Sequence, residues 1–180
     1  MWYVIQVMTG KEEKVKSVIE EKVSRELYDR CFLIKRERVW RREGKCLLHL
    51  ETLFPGYLFL STEKPEAVYQ ELKAIPQFTK LLQAEPQEFL AVEADEKEFL
   101  ENLIDGDPEN VVRLSQVVLN SDKEIVSAEG PLAHYVDRIV KKKVRLRYVM
   151  IETTLFGKER TVLVGIRTDE GEKGEFPRAM

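Results

Sequence analysis

The chain has 180 residues, 43% hydrophobic and 34% charged, with two cysteines and a formal net charge of -3. No run approaches the roughly 20 apolar residues of a membrane span, and Trp2-Tyr3-Val4 leads by Lys11 into charged sequence rather than into the apolar core of a signal peptide. A cytoplasmic chain is expected, with apolar residues enough for one large core or two small ones, while Cys31, Cys46, His49 and His134 offer no zinc-ligand spacing, no nucleophile with its base and no disulfide framework.

Trp2 to Met8 is an apolar, β-branched and aromatic run closed by Thr9-Gly10, which reads as a buried strand with its stop signal. Val15, Val18, Ile19, Val23 and Leu27 recur at spacings of three and four, predicting an amphipathic helix from Lys11 to Leu27. Cys31 to Ile34 and Cys46 to Leu50 read as the next two strands, joined by a charged hairpin around Glu43-Gly44, with the two cysteines as candidate cross-strand neighbours, both reduced. Pro55-Gly56 turns the chain into the dense apolar strand Tyr57 to Leu60. Helices follow from Pro65 to Ile75, with proline in the first turn, and from Asp95, where Asp95-x-x-Glu98 has capping-box spacing. The acidic residues Glu93, Asp95, Glu96 and Glu98 then sit where a helix dipole favours them and are structural. Asp105 to Asn110 is turn-rich, and with Val111 to Asp122 it reads as a linker. Beyond Ile125 only strand periodicity remains, at Tyr135 to Val140, Arg145 to Thr153 and Arg160 to Gly165; strands this short and close predict a small barrel. The glycine- and charge-rich end, 169–180, is expected to be disordered.

Charge is unevenly distributed. Residues 1–105 carry a net -4, whereas residues 121–168 carry +4. Within the latter, Tyr135 to Arg167 holds nine cations against three carboxylates. An acidic module joined to a basic one predicts different partners for the two, with a polyanion for the second.

The opening Trp2-Tyr3-Val4-Ile5-Gln6, the helix start Gly10-Lys11-Glu12-Glu13-Lys14-Val15 and the strand Leu53-Phe54-Pro55-Gly56-Tyr57-Leu58-Phe59-Leu60 together resemble the N-terminal NGN domain of the NusG transcription factors. Glu129-Gly130-Pro131-Leu132-Ala133-His134-Tyr135, with Leu155-Phe156-Gly157-Lys158 further on, is similar to the family's KOW domain. The two motifs occur in the family's order, and the resemblance extends to about Ile166. It implies an α+β fold: an NGN domain over 1–105, an antiparallel sheet flanked by helices; a linker over 106–122; and a small SH3-like KOW β-barrel over 123–168. It also implies a monomer with no enzymatic activity and no cofactor, an NGN domain that docks on the clamp helices of RNA polymerase, and a KOW domain that recruits a second partner. One position departs from the family pattern: Asp137 stands where a glycine is usual. If the backbone there needs positive φ, it is strained. That departure, with the basic run after it, is more similar to LoaP, a specialised antiterminator branch whose KOW domain binds a structured leader RNA, than to housekeeping members whose KOW domain binds Rho or a small-subunit ribosomal protein.

Candidate site residues fall into three groups. Trp2, Tyr3, Phe54 and Tyr57 are expected near the polymerase-docking surface, which needs aromatic anchors; core packing is the alternative at each. Arg38, Trp40, Arg41 and Arg42 of the hairpin interleave an aromatic with guanidinium groups, which suits nucleic acid or polymerase contact, against a merely solvated hairpin. His134, Tyr135, Arg138, Lys141, Lys142, Lys143, Arg145, Arg147, Lys158 and Arg160 are expected to bind RNA, with Arg145 and Arg147 on one face of a strand and bases splayed against His134, Tyr135 or Tyr148.

Overall fold

The N-terminal apolar run forms β1 (Trp2–Gln6), the strand around which the first of two compact units is built. The computed structural model describes residues 1–76, 89–168 and 177, and the chain divides into Met1–Leu33 with Phe54–Lys97, and Ile34–Leu53 with Glu98–Met180. In the first unit β1 pairs antiparallel with β5 (Tyr57–Ser61) and β6 (Leu90–Ala91), and β2 (Arg30–Phe32) lies on the far side of β5. Alternation along the strands sends Ile5, Leu58 and Leu60 to one face, where Val15 and Ile19 of α1 (Glu12–Lys22) and Val68 and Leu72 of α2 (Pro65–Lys73) cover them. On the opposite face Trp2 meets Phe32 edge-on at 5.0 Å, and Phe32 stacks on Phe59 at 5.5 Å. Phe54-Pro55-Gly56-Tyr57 is a type II turn: Tyr57 N–H donates to the Phe54 carbonyl at 3.1 Å, and Gly56 takes the positive φ of 83° that the third position requires. The Glu12 carboxylate at the start of α1 accepts the Gly56 N–H at 2.6 Å, tying helix to turn.

The second unit contains two sheets. β3 (Lys35–Arg42) and β4 (Lys45–Thr52) form a hairpin closed by Glu43 and Gly44, both at positive φ, the geometry of a two-residue turn matched to strand twist. β7 (Val111–Val112) runs parallel to β3 on its other side. The larger sheet has the order β10-β11-β12-β8-β9, made of β8 (Ser115–Leu119), β9 (Ile125–Glu129), β10 (Ile139–Lys143), β11 (Tyr148–Leu155) and β12 (Lys158–Thr168). Its interior is Val117, Leu132, Val149, Ile151, Leu155, Val162, Val164 and Ile166. The 310 turn Val136–Arg138 packs against β9 and β11. Helix α3 (Ala94–Ile104) belongs to the first unit by its first turn and to the second by the rest.

Several elements differ from expectation. The helix from Lys11 ends at Lys22, because Val23 is extended and the Ser24 N–H donates to Glu71; Arg25–Leu27 is a separate 310 turn. The charged segment Lys35–Arg42 is itself a strand, so the partner of Cys46 is Arg41, and Cys31 pairs with Leu60 instead. The reciprocal cap of α3 lies two residues earlier than read: Glu96 accepts the Glu93 N–H. Ser115–Leu119, in a stretch whose flanking turns suggest a connection, is a strand beside β12. Arg145 lies in the 310 turn Val144–Leu146, and Arg147 follows at φ 57°, so neither is on a strand. Asp137 has no positive φ, unlike Arg147, Phe156 and four other non-glycine residues, and the expected strain is absent from its turn. The tail 169–180 lies outside the described residues except for Pro177.

The two sheets of the second unit meet where β3 crosses β12 at Gly165. A Cβ there would lie 2.4 Å from the Glu37 carbonyl oxygen and 2.6 Å from Leu114 Cδ2, so only glycine permits the approach. Glu37, buried beside it, accepts from Arg113 Nη1 at 2.9 Å and from the Leu114 N–H at 3.1 Å, while Arg113 Nε donates to Asp107 at 2.6 Å. Desolvation opposes ionisation of Asp107, but the Arg113 hydrogen bond and the N–H groups of Val111 and Glu109 outweigh it and hold the carboxyl below its ordinary pKa.

Gly165→Ala is expected to cost about 3 kcal/mol, the upper end for overpacking, because a backbone carbonyl cannot rotate aside; urea denaturation measures it. A carboxyl with a folded pKa below its unfolded value stabilises fully above the latter and loses that contribution as pH falls through the former. Unfolding free energy should therefore drop as pH falls below about 4, and Asp107→Asn should lower stability at pH 7 while flattening that drop.

Candidate nucleic-acid interface

The hairpin register sets the first part of the site. Because alternate residues share a face, Arg38, Trp40 and Arg42 project together, opposite His49, Leu47 and Lys45 of β4. Trp40 is 44% exposed, and its ring stacks on the His49 imidazole with centroids 3.8 Å apart and an interplanar angle of 23°. Arg38 is anchored at the base of this face, its guanidinium 3.4 Å from Glu51 and 5.3 Å over the Tyr148 ring. Arg36, one step further in, donates to Glu51 at 2.7 Å and to the Leu163 carbonyl on β12 at 3.3 Å. Arg36 and Arg38 thus hold the hairpin on the larger sheet. Arg41 and Arg42 are exposed.

Facing this hairpin is the turn between β10 and β11. Arg145 is exposed, and Arg147 donates to Thr168 Oγ1 at 2.6 Å, which fixes the turn against the end of β12. Hairpin and turn enclose a groove of about 500 Å³ lined by Arg38, Trp40, Arg41, Arg42, Arg145 and Arg147 among others. Two residue groups that are separate in sequence therefore converge on one concave, cationic surface. Cys46 also borders it. Cys31 is remote from solvent, and burial raises its thiol pKa to about 12, which keeps it protonated and unreactive at neutral pH.

The remaining candidates divide. Lys141 and Lys143 are exposed on the edge strand β10, leading into the Arg145 turn, while Lys142 between them is partly buried and ion-paired with Glu124. Lys158 and Arg160 lie at the other end of β11, roughly 20 Å away at 3.3 Å per residue, and Arg160 donates to the Leu155 carbonyl and covers the Phe156 ring. The basic run is thus split between two ends of the sheet. Tyr135 is 5% exposed, its ring 4.9 Å from Phe99 and its hydroxyl accepting from Asn102, so the expected base-stacking role is replaced by core packing. His134 is exposed beside it, and Arg138 covers the Tyr135 ring. In the first unit Trp2 and Phe54 are 4% and 7% exposed, which assigns them to the core, whereas Tyr3 and Tyr57 keep partly open faces.

Sequence reasoning misses His49 as a site residue, because it weighs the imidazole only as a metal ligand or as the base of a cysteine nucleophile. Its pairing opposite Arg38, beside Trp40, is the available signal once Lys35–Arg42 is recognised as a strand. Among the described residues no group of three His, Cys, Asp or Glu side chains is placed to hold a metal ion, and no helix is long and apolar enough to cross a membrane.

With this geometry in place, the chain can be compared with known proteins. It is similar to the transcription termination/antitermination protein NusG of Helicobacter pylori strain J99, at 23% identity over 178 residues, covering 96% of this chain and 97% of that protein. It is also similar to the protein of the same name from Neisseria meningitidis serogroup B, at 21% identity over 89% of this chain and 92% of the relative. A solved structure concerned with domain interaction in Thermotoga maritima NusG shares the fold, with a TM-score of 0.50, 22% identity and coverage of 91% of this chain and 92% of that one. The family described as transcription termination factor nusG matches residues 1–101, more than half of the chain and the segment that carries the β1, α1 and Phe54-Pro55-Gly56-Tyr57 features, and the chain belongs to the NusG family.

Proposed function

We propose that the chain is a specialised, LoaP-like transcription antitermination factor, not an enzyme: one module binds RNA polymerase and the other grips a structured nascent RNA. In this reading residues 1–105 act as the polymerase-binding NGN domain and 123–168 as the KOW domain, with 106–122 joining them and adding β7 and β8 to the sheets. The relatives' names speak of termination and antitermination, and the observation that favours antitermination through RNA is the exposed cationic series Lys141, Lys143 and Arg145, on an edge strand and the turn that follows it. Such a series neutralises phosphates along a duplex or a strand with little sequence preference. A protein-binding KOW surface places apolar anchors at its centre; Val140 and Leu146 are exposed beside this series, so the salt dependence of binding is what separates the two readings.

On the polymerase side Tyr57 is the contact residue of this reading, on the face of the sheet that it shares with the buried Trp2, with Phe54 packed in the core beside it; Tyr3, the other partly open candidate, belongs to the helix-covered face. Two modest contacts on one chain raise the local concentration of each partner for the other, so neither needs high affinity. The second reading, a housekeeping factor that binds Rho or a ribosomal protein, makes the opposite prediction for the cationic series.

The triple substitution Lys141→Ala, Lys143→Ala and Arg145→Ala should reduce the slope of log K against log salt for leader-RNA binding by about 3, near 0.9 for each phosphate that is no longer neutralised, with binding to purified RNA polymerase unchanged. Tyr57→Ala should weaken polymerase binding by about tenfold or more, as removal of an aromatic anchor does, and leave RNA binding intact. Filter binding and surface plasmon resonance read the two arms. No RNA binding by the unaltered protein, together with saturable binding of Rho or a ribosomal protein, selects the housekeeping reading.

A further inference from the structure

The groove between the β3–β4 hairpin and the β10–β11 turn has no assigned ligand, and its chemistry narrows what fits. Five arginines line it, Arg38, Arg41, Arg42, Arg145 and Arg147, beside Val39 and Leu146. Its volume, about 500 Å³, is that of a site for part of a ligand rather than a flat surface. At its side stands an exposed indole already backed by the imidazole of His49 at 3.8 Å, so one face of Trp40 is supported and its orientation fixed. Arg38 is held by Glu51 and Tyr148, and Arg147 by Thr168; the cations at the groove base are therefore preorganised, while Arg41, Arg42 and Arg145 are exposed. Glu43 at the hairpin tip lies 3.9 Å from Arg42 with 86% of its side chain in solvent, where water screens the pair and leaves Arg42 able to take a phosphate.

We propose that this groove binds a single-stranded segment of nucleic acid, with one unpaired base stacked on the face of Trp40 opposite His49 and the flanking phosphates on Arg42 and Arg145. An A-form duplex keeps its bases stacked inside the helix and offers the indole no face. A single strand offers both a π-face and a flexible line of phosphates, which is the combination of aromatic platform and cationic channel that such strands require. Recognition thereby extends beyond the barrel to the hairpin, so the loop or flank of a structured RNA, rather than its stem, is the part that enters. This inference rests on the RNA-binding reading above for the identity of the strand, but not for the existence of the groove.

The chain has two tryptophans, and Trp2 is buried in the first unit, so intrinsic fluorescence of the full chain reports on Trp40. Titration is carried out with oligo(U), oligo(dT) and an RNA duplex, each about 12 nucleotides or base pairs long, within the range such sites span. The expected result is quenching by oligo(U) at concentrations about tenfold below those at which the duplex binds; in fluorescence anisotropy of dye-labelled oligo(U), which does not depend on the indole, Trp40→Ala weakens binding about tenfold and Trp40→Phe largely preserves it, as stacking requires. Arg42→Ala and Arg145→Ala should each lower the salt slope by about 0.7, the single-strand value. Circular dichroism establishes that each variant is folded. Equal binding of duplex and single strand, with unchanged Trp40 emission and no effect of Trp40→Ala, overturns the groove proposal and leaves the RNA reading standing. Quenching by oligo(dT) with no binding of either RNA supports the groove and overturns the RNA reading. Binding of none of the three overturns both.

Discussion

The second unit depends on one close backbone approach, that of β3 to β12 at Gly165. A hydrogen in place of a side chain lets the Glu37 carbonyl sit where any Cβ would collide with it. Once that approach is made, the Glu37 side chain is removed from water, and a buried carboxylate requires partners. Arg113 and the Leu114 N–H supply them, and Arg113 is in turn held by Asp107. The same crossing sets Arg36 against the Leu163 carbonyl and Arg38 over Tyr148. One absent methyl group therefore fixes the hairpin on the sheet, and a network of charged hydrogen bonds holds it in register.

The groove is a consequence of that arrangement. The β3–β4 hairpin extends past the crossing, and its outer residues, Trp40 to Arg42, stand opposite the turn at Arg145 to Arg147. A hairpin of this length would be flexible if it were tethered only at its base. The hydrogen bonds of Arg36, the seat of Arg38 on Glu51 and Tyr148, and the Trp40–His49 stack make it an ordered wall. The first unit follows a different logic: its sheet is covered on one face by two helices, and the Glu12 carboxylate fixes the turn that starts β5, so its aromatic residues Trp2, Phe32 and Phe59 serve packing.

Much of this is legible along the chain. The Phe54-Pro55-Gly56-Tyr57 turn needs only the proline and glycine dihedral preferences, and α2 only a proline at its first position and apolar residues at helical spacing. The charged strand β3 is not legible, because Lys35-Arg36-Glu37-Arg38 shows no polar/apolar alternation; its faces are an arginine face and a face that carries the buried Glu37 and Val39. Without that strand, the cysteine pairing is misplaced and His49 has no visible neighbour. Tyr135 is misread for the converse reason: an aromatic beside basic residues looks like a base platform, and only Phe99 and Asn102, more than 30 residues earlier in the chain, show that it is core.

By itself the sequence determined the family, through the resemblance of its motifs, and the α+β class and a basic module, through local periodicity, turn chemistry and composition; for the polymerase side it offered Trp2, Tyr3, Phe54 and Tyr57 alike. Tertiary structure alone decided which cations act together. Lys158 and Arg160 lie at the far end of β11 from Arg145 although only a dozen or so residues separate them along the chain, whereas Arg42 and Arg145, far apart in sequence, line one groove. The physical reason is that charge clustering is a property of distance in space, and here that distance was set by a glycine crossing that leaves no periodic trace in the sequence.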